Sequence, residues 1–406
     1  MCRALATTPR IEILIAPGNP GTAQVGRNLP TATDDIAGLV EAARREEVDL
    51  VIPGPEGPLV AGLADALAAA GIPCCGPGAD AARLEGSKAF TRRLAAAAGV
   101  PSPSFRVVDT TGEIDDALGA FESPPVIKAD GLAGGKGVFL PGSFDECREI
   151  ARDLLGGRLG GAGATAVMEE RLTGVEASLF HACRGIEVVA LPHALDHKRL
   201  LDGDHGPNTG GMGAVSPNPI VGPALERVAR ERIVLPALGR LAEENARFHG
   251  FLFSGLMLTE DGPVLLEFNV RLGDPEAQAI LPRLPDGAFA EVCAWVGGLR
   301  DEPPEFEFDR RPTCAVVVAA EGYPDSPRRG DPITISPQLE TKDRWFIHAG
   351  TRLDRGSLVT DGGRVGAVVA RGETAPGARR AAYEGITHVQ WEGMTHRSDI
   401  GVTPNG

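Results

Sequence analysis

LVIPGPEGPLVAGLADALAAAG, residues Leu50–Gly71, joins a short apolar run to a helical pattern, and that succession decides the fold class. Leu50–Gly54 reads as a buried strand. Within Pro58–Gly71, Leu59, Val60, Leu63 and Leu67 share one helical face, Pro58 suits a first turn and Gly71 a C-terminal cap. Such a helix packs on a sheet. A second apolar run, IEILIA at Ile11–Ala16, comes earlier, so strand and helix alternate and a parallel, doubly wound sheet is expected. The next helix opens at Ser87, an N-cap before Lys88, Ala89 and Phe90, and closes at Gly99 ahead of Pro101.

From about Pro101 to Arg300 the pattern changes to strands joined by long glycine-rich connections, as in an α+β domain. DEPPEFEFDRRP, Asp301–Pro312, reads as a linker. CAVVVAAEGYP, WFIHAGT and VGAVVARGE then supply a small β-rich domain. The expected fold class is α/β and α+β multidomain: an N-terminal doubly wound parallel-sheet domain over 1–86, a central domain over 87–300 and a C-terminal domain over 301–406.

The 406 residues are 43% hydrophobic and 23% charged, too apolar for a disordered chain. A net charge of -15 repels phosphate backbones and anionic lipid, so neither nucleic acid nor membrane is expected as partner. Seven cysteines without metal or disulfide spacing fit a reduced, cytoplasmic setting. No apolar run reaches the ~18 residues of a membrane span, and the N-terminus lacks a signal-peptide core. A monomer is expected.

VLLEFNVRLGDPE, Val264–Glu276, carries the chemistry. As a strand it puts Val264, Leu266 and Phe268 on one side and Glu267, Asn269 and Arg271 on the other. A carboxylate and an amide oxygen two residues apart suit Mg²⁺ completed by phosphates and water, with Arg271 neutralising a phosphoryl group; a solvated strand face with an ion pair is the other reading. Lys128 ends PPVIK, and DGLAGGKG supplies Gly131, Gly134, Gly135 and Gly137 around Lys136. That pattern fits a phosphate-covering flap as well as a hairpin, and it is not a Walker A loop. Glu176 follows the strand AVMEE, and its carboxylate would accept from ribose hydroxyls if the backbone of Glu169–Leu172 faced an adenine edge; a solvated acidic loop is the other reading. DGDHGPNTGGMG, Asp202–Gly213, has little capacity for regular structure and offers Asp202, Asp204, Asn208 and Thr209 as the polar groups of a binding loop or spacer.

Taken together, APGNPGTA (Ala16–Ala23), GPEGPLVAGL (Gly54–Leu63), LEGSKAF (Leu84–Phe90), VIKADGLAGGKGV (Val126–Val138), DHKRLLDGDHGPNTGGMGA (Asp196–Ala214), GLM (Gly255–Met257), LEFNVRLGDPE (Leu266–Glu276), FIHAGT (Phe346–Thr351) and DIG (Asp399–Gly401) resemble the phosphoribosylamine–glycine ligases, also called glycinamide ribonucleotide synthetases, of the ATP-grasp superfamily. The resemblance spans nearly the whole chain. It implies a central ATP-grasp domain and an enzyme that joins glycine to 5-phosphoribosylamine at the expense of ATP, through a glycyl phosphate, in purine biosynthesis. It further implies Lys88 and Lys128 on the ATP phosphates, a flap of Gly131, Gly134, Gly135, Lys136 and Gly137, and adenosine held near Glu169, Glu170 and Leu172 with Glu176. Glu267 and Asn269 would hold Mg²⁺ or Mn²⁺, with Arg271, Lys128 and Asp204 as catalytic groups. Asp202, Asp204, Asn208, Thr209, Asp274, Pro275 and Glu276 would line the acceptor side.

The chain departs from that family in two places. Family members open on a strand and a GGGGREHAL-like turn expected to hold the phosphate of phosphoribosylamine at a helix N-terminus. Here MCRALATTPRIEILIAPGN opens the chain, without that strand and turn; a start recorded too late and a variant acceptor site are the two readings. Leu195 stands where the family has Gln. A different ATP-grasp carboxylate–amine ligase and a non-catalytic ATP-binding relic are the competing functions.

Overall fold

The computed structural model describes residues 1–134 and 136–402. The stretch Leu50–Gly71 folds as helix, but in two pieces, Glu56–Val60 and Leu63–Ala69. Gly62 separates them at φ 88°, a left-handed conformation that ends one helix and starts the next. The expected continuous helix is thereby corrected, while its buried face stands: Leu59, Leu63 and Leu67 are at most 3% exposed. Of the strand expected at Leu50–Gly54, a single parallel bridge forms, Val51 to Cys74. Leu14–Ile15 and Arg27–Asn28 make a second parallel pair.

By packing, the chain divides into two compact units that do not follow chain order. One comprises 48–190 and 221–272, the other 1–47, 191–220 and 273–406.

The first of these holds two four-stranded antiparallel sheets. One runs Phe105–Val108, Ala166–Glu169, Val126–Ala129, Val138–Phe139. Helix Phe144–Leu155 covers it, because Cys147, Ala151 and Leu154 recur at helical spacing and bury completely against Ile127, Ala166 and Met168. Ser143 caps that helix by accepting from the Glu146 N–H at 3.2 Å. The other sheet runs Gly262–Asn269, His249–Thr259, Val175–Arg184, Glu187–Ala190. Its apolar core takes in Leu94 and Ala95 from helix Lys88–Ala97, which Ser87 caps by accepting the Phe90 N–H at 3.1 Å.

Strand Gly262–Asn269 corrects the simple alternation expected for it. Glu267 pairs with Gly255 but Leu265 pairs with Leu256, so Leu266 is bulged out of register. Leu265, Phe268 and Val270 consequently enter the core, and Val264 and Leu266 do not. Beyond the bulge Glu267 and Asn269 alternate with the buried Phe268, and the strand ends at Asn269, so that Arg271 lies past it.

The second unit is organised by a five-stranded antiparallel sheet: Arg344–His348, Arg364–Arg371, Thr313–Ala319, Gly213–Ser216, Leu195–Asp196. The three C-terminal β segments thus pair as expected, and two strands from the middle of the chain complete the sheet. Helix Ala375–Ile386 buries Ala378, Ala382 and Ile386 against it. The segment Asp202–Gly213 is more regular than its glycines suggest: Arg199–Leu201 and His205–Asn208 form a hairpin around a turn at Asp202–Asp204. Its strands hold because backbone N–H and C=O groups pair across the turn, whatever the side-chain content.

Candidate active site

In the unit of 48–190 and 221–272, Lys88, Arg92, Lys128 and Arg271 stand among carboxylates. Lys128 occupies the third position of strand Val126–Ala129, and its Nζ lies 2.7 Å from Glu169 Oε2 and 3.3 Å from the Leu266 carbonyl. Glu169 also receives Arg92 in bidentate fashion, Nε at 2.7 Å and Nη2 at 2.8 Å. All three side chains are at least nine-tenths buried. Burial alone would push the Glu169 carboxyl up, yet Lys128 and Arg92 outweigh it and hold the group below its ordinary value. Arg92 donates besides to the carbonyls of Leu265 and Leu266. The bulge therefore turns two backbone acceptors toward the buried cations, and one arginine ties both sheets together.

Lys88 is the first residue of its helix, and its Nζ is 3.5 Å from Glu267 Oε2. The helix start is fixed by Asp130, just past Lys128, which accepts from Ser87 Oγ at 3.0 Å and from the Ala89 N–H at 2.6 Å. Glu267 and Asn269 project on one side with the fully buried Phe268 between them. Among the described residues no group of three or more His, Cys, Asp and Glu gathers for a metal. Two protein oxygens on one strand face fit a hard cation that takes its remaining ligands from phosphates and water.

Arg271 lies just past that strand. Its Nε donates to Glu56 at 3.1 Å, its Nη1 to the Leu272 carbonyl at 3.1 Å, and its Nη2 pairs with Glu85 at 2.9 Å. Burial pushes the Glu85 carboxyl up to about 7 against the opposing pull of Arg271.

Gly131, Gly134, Lys136 and Gly137 form the turn after Lys128; Gly134 takes φ 55°, and the Gly137 carbonyl returns to the Ala129 N–H at 2.8 Å. Lys136 is exposed, and Gly135 lies outside the described residues. Glu170 is exposed and accepts from Ser104 Oγ at 3.0 Å; Leu172 is half-buried and Glu176 exposed at the start of strand Val175–Arg184.

The residues expected on the acceptor side all belong to the other unit. Asp202 accepts from the Ser398 N–H at 2.8 Å and from its hydroxyl. Asp204 meets Arg397 at 2.7 Å, and Arg397, its side chain 1% exposed, also grips both oxygens of Asp399 at 2.7 Å. Asn208 pairs with Arg199 in the hairpin, and Thr209 Oγ1 donates to the Lys198 carbonyl at 2.8 Å. Asp274 pairs with Arg364 at 2.7 Å. Gly211, at φ 109°, must lack a side chain because a Cβ there would strike Pro275. Glu276 is buried at the start of helix Glu276–Ile280.

Sequence reading missed Arg92, Glu56, Glu85, Asp130, Arg364 and Arg397. Glu56 and Glu85 stood inside GPEGPLVAGL and LEGSKAF, and Arg397 two residues before DIG. Arg92 gave no signal at all, since its neighbour Arg93 is the same residue type and is exposed.

Three family descriptions match in succession: the N domain of phosphoribosylglycinamide synthetase over 1–85, its ATP-grasp (A) domain over 86–277 and its C domain over 313–403. A phosphoribosylamine–glycine ligase of Ralstonia nicotianae is 44% identical over 403 residues, 98% of this chain and 94% of that one. The crystal structure of phosphoribosylamine–glycine ligase from Thermotoga maritima is similar at a TM-score of 0.83 and 36% identity, covering 98% of this chain and 96% of that one. A biotin carboxylase from Campylobacter jejuni, at a TM-score of 0.74 and 13% identity over 99% and 93% of the two chains, shares the fold alone.

Proposed function

Because the chain belongs to the phosphoribosylglycinamide synthetase family, we propose that it ligates glycine to 5-phosphoribosylamine, giving glycinamide ribonucleotide, ADP and phosphate. The observation that carries this reading is the gathering of Lys88, Lys128, Arg271, Glu267 and Asn269 within one unit, the equipment of phosphoryl transfer.

Glycine's carboxylate is a poor acyl donor because it would have to expel oxide. Attack of a carboxylate oxygen on the γ-phosphorus breaks the bond to ADP and yields glycyl phosphate, whose leaving group is phosphate. The amine of phosphoribosylamine then attacks the carbonyl carbon, an N–C bond forms, phosphate departs and the amine loses a proton. Lys88 and Lys128 would bind the ATP phosphates, the latter held in place by Glu169, and Arg271 would meet the transferring phosphoryl group. The turn of Gly131, Gly134, Gly135, Lys136 and Gly137 would cover the phosphates, and the backbone near Glu169–Leu172 with Glu176 would receive adenosine, the Glu169 carboxylate being taken by Lys128 and Arg92. Glu267 and Asn269 would hold Mg²⁺ or Mn²⁺, which when bound offsets phosphate charge. The segment 202–213 with Asp274–Glu276 would line the acceptor side, Asp204 acting through the loop it shapes because Arg397 already holds its carboxylate. Domains over 1–86, 87–300 and 301–406, a monomeric state and a cytoplasmic setting complete the proposal; that no disulfide joins the described cysteines supports the last.

The test is ADP release measured with a panel of amines and carboxylates. Release that requires glycine and phosphoribosylamine together is the expected result. Equal turnover with another amine or acid would assign the chain to a different ligation, and ATP binding without product would make it a relic.

A further inference from the structure

Two motifs remain without a task in this scheme, GPEG around Glu56 and LEG around Glu85, and both end on the same guanidinium. We infer that Glu56 and Glu85 are positioning residues for the ligation, fixing the plane of Arg271 in the orientation from which it meets the transferring phosphoryl group. The inference rests on the phosphoryl-transfer reading of Arg271 given above.

The geometry is that of a clamp. Glu56 is the first residue of helix Glu56–Val60 and takes Nε; Glu85, in the last turn of helix Ala79–Gly86, takes Nη2; the Leu272 carbonyl takes Nη1. A planar fork held at all three nitrogens from different elements cannot rotate about its long side chain. The second Glu85 oxygen accepts the Val270 N–H at 2.8 Å, so one carboxylate fixes both the guanidinium and the backbone just before it.

The convergence differs from an ordinary one-to-one ion pair. Two carboxylates from different helices meet one guanidinium, and Lys88 acts on Glu85 as well, so the carboxylates are balanced by two cations. Glu85 is also the more buried, its side chain 6% exposed against 27% for Glu56. Keeping that carboxyl ionised works against desolvation, as its rise to about 7 shows. A group held at such a cost to stability is explained by orientation, because small misplacements of a group that meets a transition state are expensive in rate.

Steady-state kinetics of the full-length protein with ATP, glycine and phosphoribosylamine, for Glu56→Gln, Glu85→Gln and Arg271→Ala, decide the matter. Each glutamine variant is expected to lower kcat by about 10- to 100-fold. The KM for ATP should stay within about threefold, since Lys88 and Lys128 are untouched, and the thermal midpoint of Glu85→Gln at pH 8 should not fall. Unchanged kcat in both glutamine variants, beside an inactive Arg271→Ala, overturns the clamp and leaves the phosphoryl-transfer reading intact. A parallel loss of kcat, ATP affinity and thermal midpoint in Glu85→Gln also overturns it, because a structural ion pair would give that. Full activity in Arg271→Ala overturns the clamp together with the reading beneath it.

Discussion

The residues proposed for the nucleotide side and those proposed for the acceptor side are built on opposite plans. In the first group cations and carboxylates answer one another at depth: Lys128 and Arg92 share Glu169, Lys88 faces Glu267, and Glu56 and Glu85 share Arg271. In the second group the aspartates are spent on holding loops. Asp202 and Asp204 fasten the 202–204 turn to Ser398 and Arg397, and Asp274 fastens its own segment to Arg364. Their exposure follows: the Glu169 side chain is 2% accessible and that of Asp204 67%. The lesson is that an acidic residue in a functional string can serve as counter-ion to a working cation or as a tether for a loop, and only its partner tells which.

The sharpest way to test the contrast is Glu169→Gln. It strands two buried cations, so a loss of about 3–5 kcal/mol in urea-denaturation stability is expected, together with collapse of ATP turnover. A loss below about 1 kcal/mol would remove the distinction between the two plans.

Acidity separates Glu85 from Asp399 next, because their shifts have opposite signs, whereas Glu169 is lowered as Asp399 is. Burial raises the Glu85 carboxyl from 4.5 to about 7, so its contribution to stability is complete below its unfolded value and is lost as pH climbs through 7. For Asp399 burial acts upward too, but hydrogen bonds from Arg397 and the Gly203 N–H prevail and hold it well below the ordinary 3.8. That contribution is present above 3.8 and disappears only in stronger acid. Between pH 8 and pH 5, wild type should gain about 1–3 kcal/mol relative to Glu85→Gln. Asp399→Asn should run parallel to wild type over the same window, with chemical denaturation at each pH as the measurement.

Two smaller changes complete the series. Ser87→Ala removes the cap of the Lys88 helix and a donor to Asp130, with an expected cost of about 1 kcal/mol by denaturation and a raised KM for ATP. Asp204→Asn, at an exposed carboxylate, should cost about 0.5 kcal/mol and leave the KM for ATP unaltered. A larger stability loss for Asp204→Asn than for Ser87→Ala would reverse the ranking of the two regions.

Much of this was legible in the chain itself, and the failures have physical causes. Ser87 as a cap, Gly99 as a helix stop, the buried face of Leu59, Leu63 and Leu67 and the placing of Glu267 and Asn269 either side of buried Phe268 are all set by contacts a few residues apart. The bulge at Leu266 was not, because it depends on register with a neighbouring strand. Arg92 was hidden for a stronger reason: what distinguishes it from Arg93 is a carboxylate 77 positions away. Gly62 lies inside an apolar periodic stretch, where a glycine is weak punctuation until its φ is known.

The five-stranded sheet has a practical corollary. Thr313–Ala319 sits between Arg364–Arg371 and Gly213–Ser216, so the ladder is stitched from both sides of Asp301–Pro312. A protease nick in that proline-rich stretch would sever the chain without separating the halves. The fragments would remain zipped along a shared strand, and separately expressed halves should reassemble as a split protein does.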